Sequence, residues 1–133
     1  MKYLLLLFVS ISIHAQDPWK ALQFLTGEWV ADGGACSFSF DLERKVLVRK
    51  SYNGPHHDLM VVYLEKGLKA IYFDNEDHVI HYQVEAGPVS VQFLNEQYRL
   101  TYRKNDDQLT MDFDIAPPGK PFSNYLHATL RRK

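Results

Sequence analysis

The sequence predicts an all-β domain, a single antiparallel up-and-down β-barrel of eight to ten strands with a short N-terminal helix closing one end. Three observations predict it. Short apolar segments alternate with polar residues at a period of two over most of the chain. Glycine, proline and polar clusters fall between these segments, where turns are expected. Every connection is short, so neighbouring strands should pair as an antiparallel meander.

Residues 1–15 have the pattern of a cleaved signal peptide. Lys2 precedes an apolar stretch over residues 4–13, and the small residue Ala15 ends the segment. The stretch has about half of the ~20 residues that a membrane-spanning helix needs. We therefore predict a signal peptide over residues 1–15, a barrel domain over residues 16–133, no membrane span, and export to the periplasm or secretion. A hydrophobic first strand or a short anchor is the alternative for this segment.

A short helix is predicted over residues 18–25. Asp17 is a favoured N-cap residue and Pro18 a favoured first helical residue. Trp19, Leu22 and either Phe24 or Leu25 follow at roughly helical spacing, and the helix should end near Gly27.

Strands are predicted wherever the apolar period becomes two. These segments are rich in valine, isoleucine, threonine and aromatic residues, and no proline interrupts a predicted strand interior. Closing the sheet into a barrel removes its exposed edges, whereas a two-sheet sandwich would need longer crossover connections. The predicted segments are residues 46–52, 59–64, 68–72, 79–84, 89–94, 98–102, 109–115 and 122–130.

Composition excludes several classes of protein. The chain has 133 residues, 46% of them hydrophobic, which favours one folded domain over a disordered chain. The formal net charge of −1 gives no basic surface for nucleic acid. The single cysteine, Cys36, excludes an intramolecular disulfide and is either buried or available for an intermolecular bond. The chain is therefore expected to be a monomer or a homodimer.

The segment Gly27-Glu28-Trp29, directly after the predicted helix, resembles the lipocalin-like (calycin-type) β-barrel proteins. The resemblance implies that Gly27 permits a tight turn from helix to strand and that Trp29 plugs the closed end. It also implies an arginine near the last strand that packs across the indole ring. Arg131 and Arg132 are the two candidates for that arginine.

Two segments also resemble, more weakly, the nitrobindin-like haem-binding barrels. Residues 25–33 keep two glycines and the tryptophan of their early motif, and residues 125–130 resemble their last strand. In that register Tyr125 stands where the haem-ligating histidine would be, and His127 follows two residues later. The resemblance implies haem as a possible cofactor, with Tyr125 or His127 as axial ligand, and a reaction with nitric oxide or its oxidised relatives.

Eight residues are candidate ligand-binding residues. Arg49 lies in a hydrophobic strand, and if it points inward it needs a carboxylate, a phenol or an anionic ligand. Histidine and tyrosine rings can line a binding cavity because their bodies are apolar and their tips polar. The candidates are Arg49, Tyr72, His81, Tyr98, Tyr125 and His127 in the lumen and His57 and Asp58 at the rim.

Two histidine pairs invite a metal interpretation. His78 and His81 are three residues apart, so on a strand they point to opposite faces. His56 and His57 precede Asp58 and could bind a metal or shuttle a proton, but an exposed polar turn is the preferred interpretation. We therefore predict no metal site.

The sequence is most typical of a binding protein. It contains no nucleophile elbow, phosphate-binding glycine loop or zinc-protease helix, so nothing requires an enzyme. We expect an exported barrel that holds a small hydrophobic or amphipathic ligand in an aromatic-lined cavity. The alternatives are a nitrobindin-like haem protein and a solid barrel that acts as an envelope interaction or inhibitor protein. A hydrolase or isomerase built on a His–Tyr–Asp group is a further alternative.

Overall fold

The computed structural model describes residues 17–133, and the predicted signal peptide lies outside the described residues. This part of the chain forms a closed barrel of ten strands. Each strand pairs antiparallel with the next in sequence, and β10 closes the barrel against β1. The predicted fold class is confirmed. The strands are β1 (Gly27–Ala31), β2 (Gly34–Asp41), β3 (Val46–Asn53), β4 (His56–Leu64), β5 (Leu68–Asp74), β6 (Val79–Ala86), β7 (Ser90–Leu94), β8 (Tyr98–Asn105), β9 (Gln108–Ile115) and β10 (Ser123–Arg132).

The predicted N-terminal helix is a 3₁₀ helix over Pro18–Leu25. The Asp17 side chain caps it by accepting a hydrogen bond from the Trp19 backbone N–H at 3.0 Å. Trp19, Leu22 and Leu25 are spaced by three, so in a helix of three residues per turn they share one face. All three are buried in the barrel core. No helix among residues 17–133 is long and apolar enough to span a membrane.

The helix lies at the end of the barrel where β2 ends and β3 begins. The rings of Trp19 and Phe40 meet edge to face with centroids 5.8 Å apart. Fully buried side chains fill this half of the barrel, so it is solid core. They include Leu47, Met60, Val62, Ala70, Val91, Phe93 and Leu109. We call the opposite end, at the β3–β4, β5–β6, β7–β8 and β9–β10 turns, the mouth.

Gly27, Trp29 and Arg132 form one packed unit near the helix. Gly27 has φ +122°, and a Cβ there would lie 2.7 Å from Nη1 of Arg132. The buried Trp29 indole donates a hydrogen bond to the Leu25 carbonyl at 2.8 Å. The Arg132 guanidinium lies 4.2 Å from the centroid of that ring and donates to the backbone carbonyl at position 26 at 3.0 Å. Of the two candidate arginines, Arg132 is the one that packs across the Trp29 ring.

Candidate functional site

Arg49 is a charged side chain inside the barrel. Alternation along β3 turns Leu47 and Arg49 inward, and Arg49 is only 4% exposed. Its Nη1 donates to the Tyr102 hydroxyl across the barrel at 3.0 Å, and its Nη2 pairs with the Asp58 carboxylate. Its Nε has no hydrogen-bond partner among the residues that the structure describes. Arg49 therefore has one donor free inside the barrel.

The Arg49–Asp58 pair keeps a full charge buried. The Asp58 side chain is 7% exposed, so water screens the pair only weakly. Burial alone would lower the pKa of Arg49, but its interactions with the Tyr102 hydroxyl and the Asp58 carboxylate outweigh burial, and the pKa is raised. Burial raises the pKa of Tyr102, so its phenol stays neutral. The guanidinium is thus a permanent cation at the base of the mouth.

His56 connects this pair to the surface. Its Nε2 lies 3.1 Å from Oδ2 of Asp58 and 3.2 Å from the Tyr72 hydroxyl, and its Nδ1 lies 3.3 Å from Oε1 of Glu76. Partial burial lowers the pKa of His56, but hydrogen bonds to Glu76 and Asp58 raise it by more than burial lowers it, so the net shift is upward. The imidazole therefore lies between two carboxylates, and it donates to both of them when it is protonated.

Asp74 organises the turn between β5 and β6. Its side chain is 3% exposed and accepts from the backbone N–H groups of Glu76 and His78 at 2.9 and 3.0 Å. The Tyr72 hydroxyl donates to its Oδ2 at 3.0 Å, and Nδ1 of His78 lies 2.9 Å from the same oxygen. Burial would raise the pKa of Asp74, but the hydrogen bonds from His78, Glu76 and Tyr72 hold it well below its usual range. Asp74 is therefore a fixed carboxylate.

These contacts form one continuous hydrogen-bonded group that runs from the barrel interior to the mouth. We call it the ionisable network. It comprises Arg49, His56, Asp58, Tyr72, Asp74, Glu76, His78 and Tyr102.

The side of the mouth opposite the network is aromatic. The rings of Tyr98 on β8 and Phe113 on β9 stack with centroids 5.7 Å apart. The Tyr125 ring on β10 meets Phe113 edge to face at 6.2 Å. Tyr98 and Phe113 are half-buried, and Tyr125 is 73% exposed. We call these three residues the aromatic rim. The mouth thus offers an ionisable wall and an apolar wall.

The structure brings five of the eight sequence-predicted site residues to the mouth. Arg49, Asp58 and Tyr72 belong to the ionisable network, and Tyr98 and Tyr125 belong to the aromatic rim.

The other three predicted residues, His57, His81 and His127, lie on the outer face. His57 stacks on the Tyr52 ring at 6.0 Å and, with Asp58, borders a groove of about 390 Å³ in the β1–β4 wall. His127 points outward and lies 2.7 Å from Asp112.

We expected His81 and His127 to point into the lumen, but the phase of their strands places both side chains on the outer face. In β6 the side chains of Ile80, Tyr82 and Val84 pack on the core, so His81 faces outward. In β10 a register shift between Asn124 and Leu126 breaks the alternation, so Tyr125 and His127 no longer share a face.

Six residues of the network and the rim are not among the eight predicted site residues, although His56 and His78 were weighed as metal ligands: His56, Asp74, Glu76, His78, Tyr102 and Phe113. A signal existed for three of them. His56 lies two residues from Asp58, and Asp74 lies two from Tyr72, so on a strand each pair shares a face. Tyr102 lies two residues after Leu100, so alternation along β8 also places it on the inner face, on the side of Arg49.

A haem bound in the lumen through Tyr125 or His127 does not fit this structure. Tyr125 is 73% exposed at the mouth, beyond the packed core. His127 lies on the outer face against Asp112. Neither side chain can reach a group held inside the barrel while the observed strand register is kept.

Comparisons with known proteins indicate the fold. No protein-family model matches the chain, and no curated protein matches it significantly in sequence. Among solved structures, it is similar to the crystal structure of Rv2717c from M. tuberculosis, with a TM-score of 0.57 and 12% sequence identity. The match covers 90% of this chain and 99% of that one. At this identity the likeness supports a common barrel fold and nothing finer.

Proposed function

We propose that this protein is a small-molecule-binding β-barrel that holds a partly hydrophobic ligand at its mouth. The aromatic rim would cover the apolar part of the ligand, and the ionisable network would orient its polar part. Because the helix-side half is filled by its own side chains, the ligand would bind at the mouth and not along the whole lumen.

Arg49 is the single observation that carries this proposal. Burying an ion pair is costly, and apolar side chains of similar volume often stabilise a core equally well. Here a guanidinium that is 4% exposed keeps an unpartnered Nε inside the barrel. An acceptor oxygen from a ligand would satisfy that donor.

A fluorescence titration with 1-anilinonaphthalene-8-sulfonate tests the proposal. This probe combines fused aromatic rings with an anionic sulfonate, whose oxygens accept hydrogen bonds. Saturable binding to the wild-type protein is expected, with at least a fivefold weaker affinity in Phe113→Ala. Phe73→Ala, which removes an exposed aromatic ring from the outer face, is the matched control. The proposal fails if both variants bind like the wild type, or if both lose binding equally.

A barrel that is packed solid and acts as an interaction protein is the second candidate. The fully buried side chains of the helix-side half favour it. Native mass spectrometry of the purified protein separates the two functions. A retained mass beyond the polypeptide supports a carrier. A bare polypeptide that also fails to bind the probe supports the solid barrel.

We also propose that the protein is exported. The charged start, apolar stretch and small residue of residues 1–15 support this proposal. Expression of the full chain in a bacterial host, followed by N-terminal sequencing of the periplasmic fraction, tests it. A mature N-terminus near residue 16 is expected, and an intact Met1 in the cytoplasmic fraction would refute export.

A further inference from the structure

The β3–β4 and β5–β6 turns bring three metal-ligating side chains together at the mouth. His56, Asp74 and Glu76 each offer one ligand atom, and these atoms all lie within 4.8 Å of one another. They come from two parts of the chain about twenty residues apart, so barrel formation assembles the cluster.

Asn75 holds these two turns rigidly against each other. Its backbone N–H donates to the His57 carbonyl at 3.0 Å, and its side chain donates to the Pro55 carbonyl at 2.8 Å. Its Oδ1 accepts from the His57 backbone N–H at 3.0 Å. The spacing of His56 from the β5–β6 turn is therefore set by hydrogen bonds outside the cluster itself, as a preorganised site requires.

The cluster also carries negative charge that a cation would offset. The ionisable network has three carboxylates, on Asp58, Asp74 and Glu76, but Arg49 is its only permanent cation. Because Arg49 pairs with Asp58, the charges of Asp74 and Glu76 remain, and the Asp74 side chain is only 3% exposed, so water screens it poorly. One divalent cation would offset both charges.

We propose that the mouth binds a divalent transition metal of the zinc class through His56, Asp74 and Glu76. An imidazole together with carboxylates suits zinc and its neighbours, whereas calcium and magnesium prefer all-oxygen sites. Small rotations of the His56 and Glu76 side chains, with Asp74 held in place, would bring the ligand atoms to the ~2.0–2.2 Å from the ion that zinc requires. Tyr72 and His78, which contact Asp74, would orient that ligand from outside the coordination sphere. The metal site shares the ionisable network with the proposed ligand site, but it needs no organic ligand.

Isothermal titration with Zn²⁺, and the visible absorption of added Co²⁺, test the proposal on the full chain. The wild-type protein should bind one equivalent. His56→Ala and Glu76→Gln should each weaken binding at least tenfold. The Glu76 side chain is 60% exposed, so Glu76→Gln should leave folding intact even if His56→Ala does not.

Two matched controls sharpen the test. His57→Ala removes the adjacent outward-facing imidazole, and Asp77→Asn removes a carboxylate from the same turn but outside the cluster. Both should bind Zn²⁺ within twofold of the wild type. The proposal is overturned if the wild type binds no Zn²⁺ at about 100 μM, because a preformed site should bind the ion more tightly than that. It is also overturned if His57→Ala loses as much affinity as His56→Ala.

Zn²⁺ binding should be retained in Phe113→Ala, because Phe113 lies on the opposite wall of the mouth and supplies none of the three ligand atoms. Failure of the metal proposal and failure of the ligand proposal would therefore give different results.

Discussion

Removing the charge of Asp58 should destabilise the barrel more than any single change at the mouth. In Asp58→Asn the shape of the side chain is kept, but the Arg49 guanidinium, 4% exposed, loses its counter-charge. Breaking a buried pair by removing one partner costs about 3–5 kcal/mol. A domain of this size is stable by roughly 5–15 kcal/mol in total, so the loss would be a large fraction of its stability.

The reverse change should cost less. In Arg49→Met the Asp58 carboxylate keeps its contact with His56 at 3.1 Å, and a protonated imidazole can balance its charge. In the double variant both buried charges are gone. We therefore expect the double variant to be more stable than the sum of the two single effects predicts, by at least about 2 kcal/mol of coupling.

Urea unfolding at pH 7 measures all four proteins of this double-mutant cycle. Trp19 and Trp29 are both buried, so their fluorescence reports the loss of the core. The reasoning is refuted if Asp58→Asn lies within about 1 kcal/mol of the wild type, or if the two substitutions are additive.

Three further predictions concern the closed end and the single cysteine. Gly27→Ala should destabilise the protein by about 1–3 kcal/mol because alanine is strained at this positive φ. The clash of the new Cβ with Arg132 should add to that loss. Gly67→Ala, also at positive φ but with nothing within 4 Å, should show only the backbone effect in the same urea assay. Arg132→Ala should cost about 1–3 kcal/mol, because it removes a cation–π contact and a hydrogen bond, whereas the exposed Arg131→Ala should stay within about 0.5 kcal/mol of the wild type. Burial raises the pKa of the Cys36 thiol from the ordinary 9.0 to about 11, so iodoacetamide should label the native protein slowly at pH 8. Between pH 9 and 11 the unfolded thiol ionises while the folded one does not, so stability should fall by about 3 kcal/mol, and by less in Cys36→Ser. Rapid labelling, or equal pH dependence in the two proteins, would contradict this.

The barrel was predictable because most of its strands alternate clearly. In β6, Ile80, Tyr82 and Val84 alternate with His81 and Gln83, and turn residues mark both ends of the strand. The helix was predictable to the residue, since an aspartate cap and a proline mark its start. Its 3₁₀ form was less evident, although the spacing of three between its buried residues agrees with it.

The site was harder to predict because the phase of β4 carries no period-two signal. Residues 59–64 are all apolar, so the sequence does not decide which of two neighbouring histidines faces inward. The structure turns His56 inward and His57 outward. In β6 the signal was present, because His81 shares its face with the polar Gln83. In β10 no sequence signal marked the bulge that separates Tyr125 from His127.

The contact between Arg49 and Tyr102 joins residues 53 apart in sequence, and only barrel closure brings them together. The position of Arg49 on β3 also makes the site depend on the strand register. A one-residue slip of β3 would turn Leu47 out of the core and bury Lys50, with its charge, in place of Arg49. The packed half of the barrel opposes such a slip because each misplaced apolar side chain costs about 1.5–3 kcal/mol. The core thus holds the ionisable network in place without needing its charges for stability. For this reason we expect the charge-free double variant of Arg49 and Asp58 to fold as a barrel while losing the probe binding that depends on the free donor.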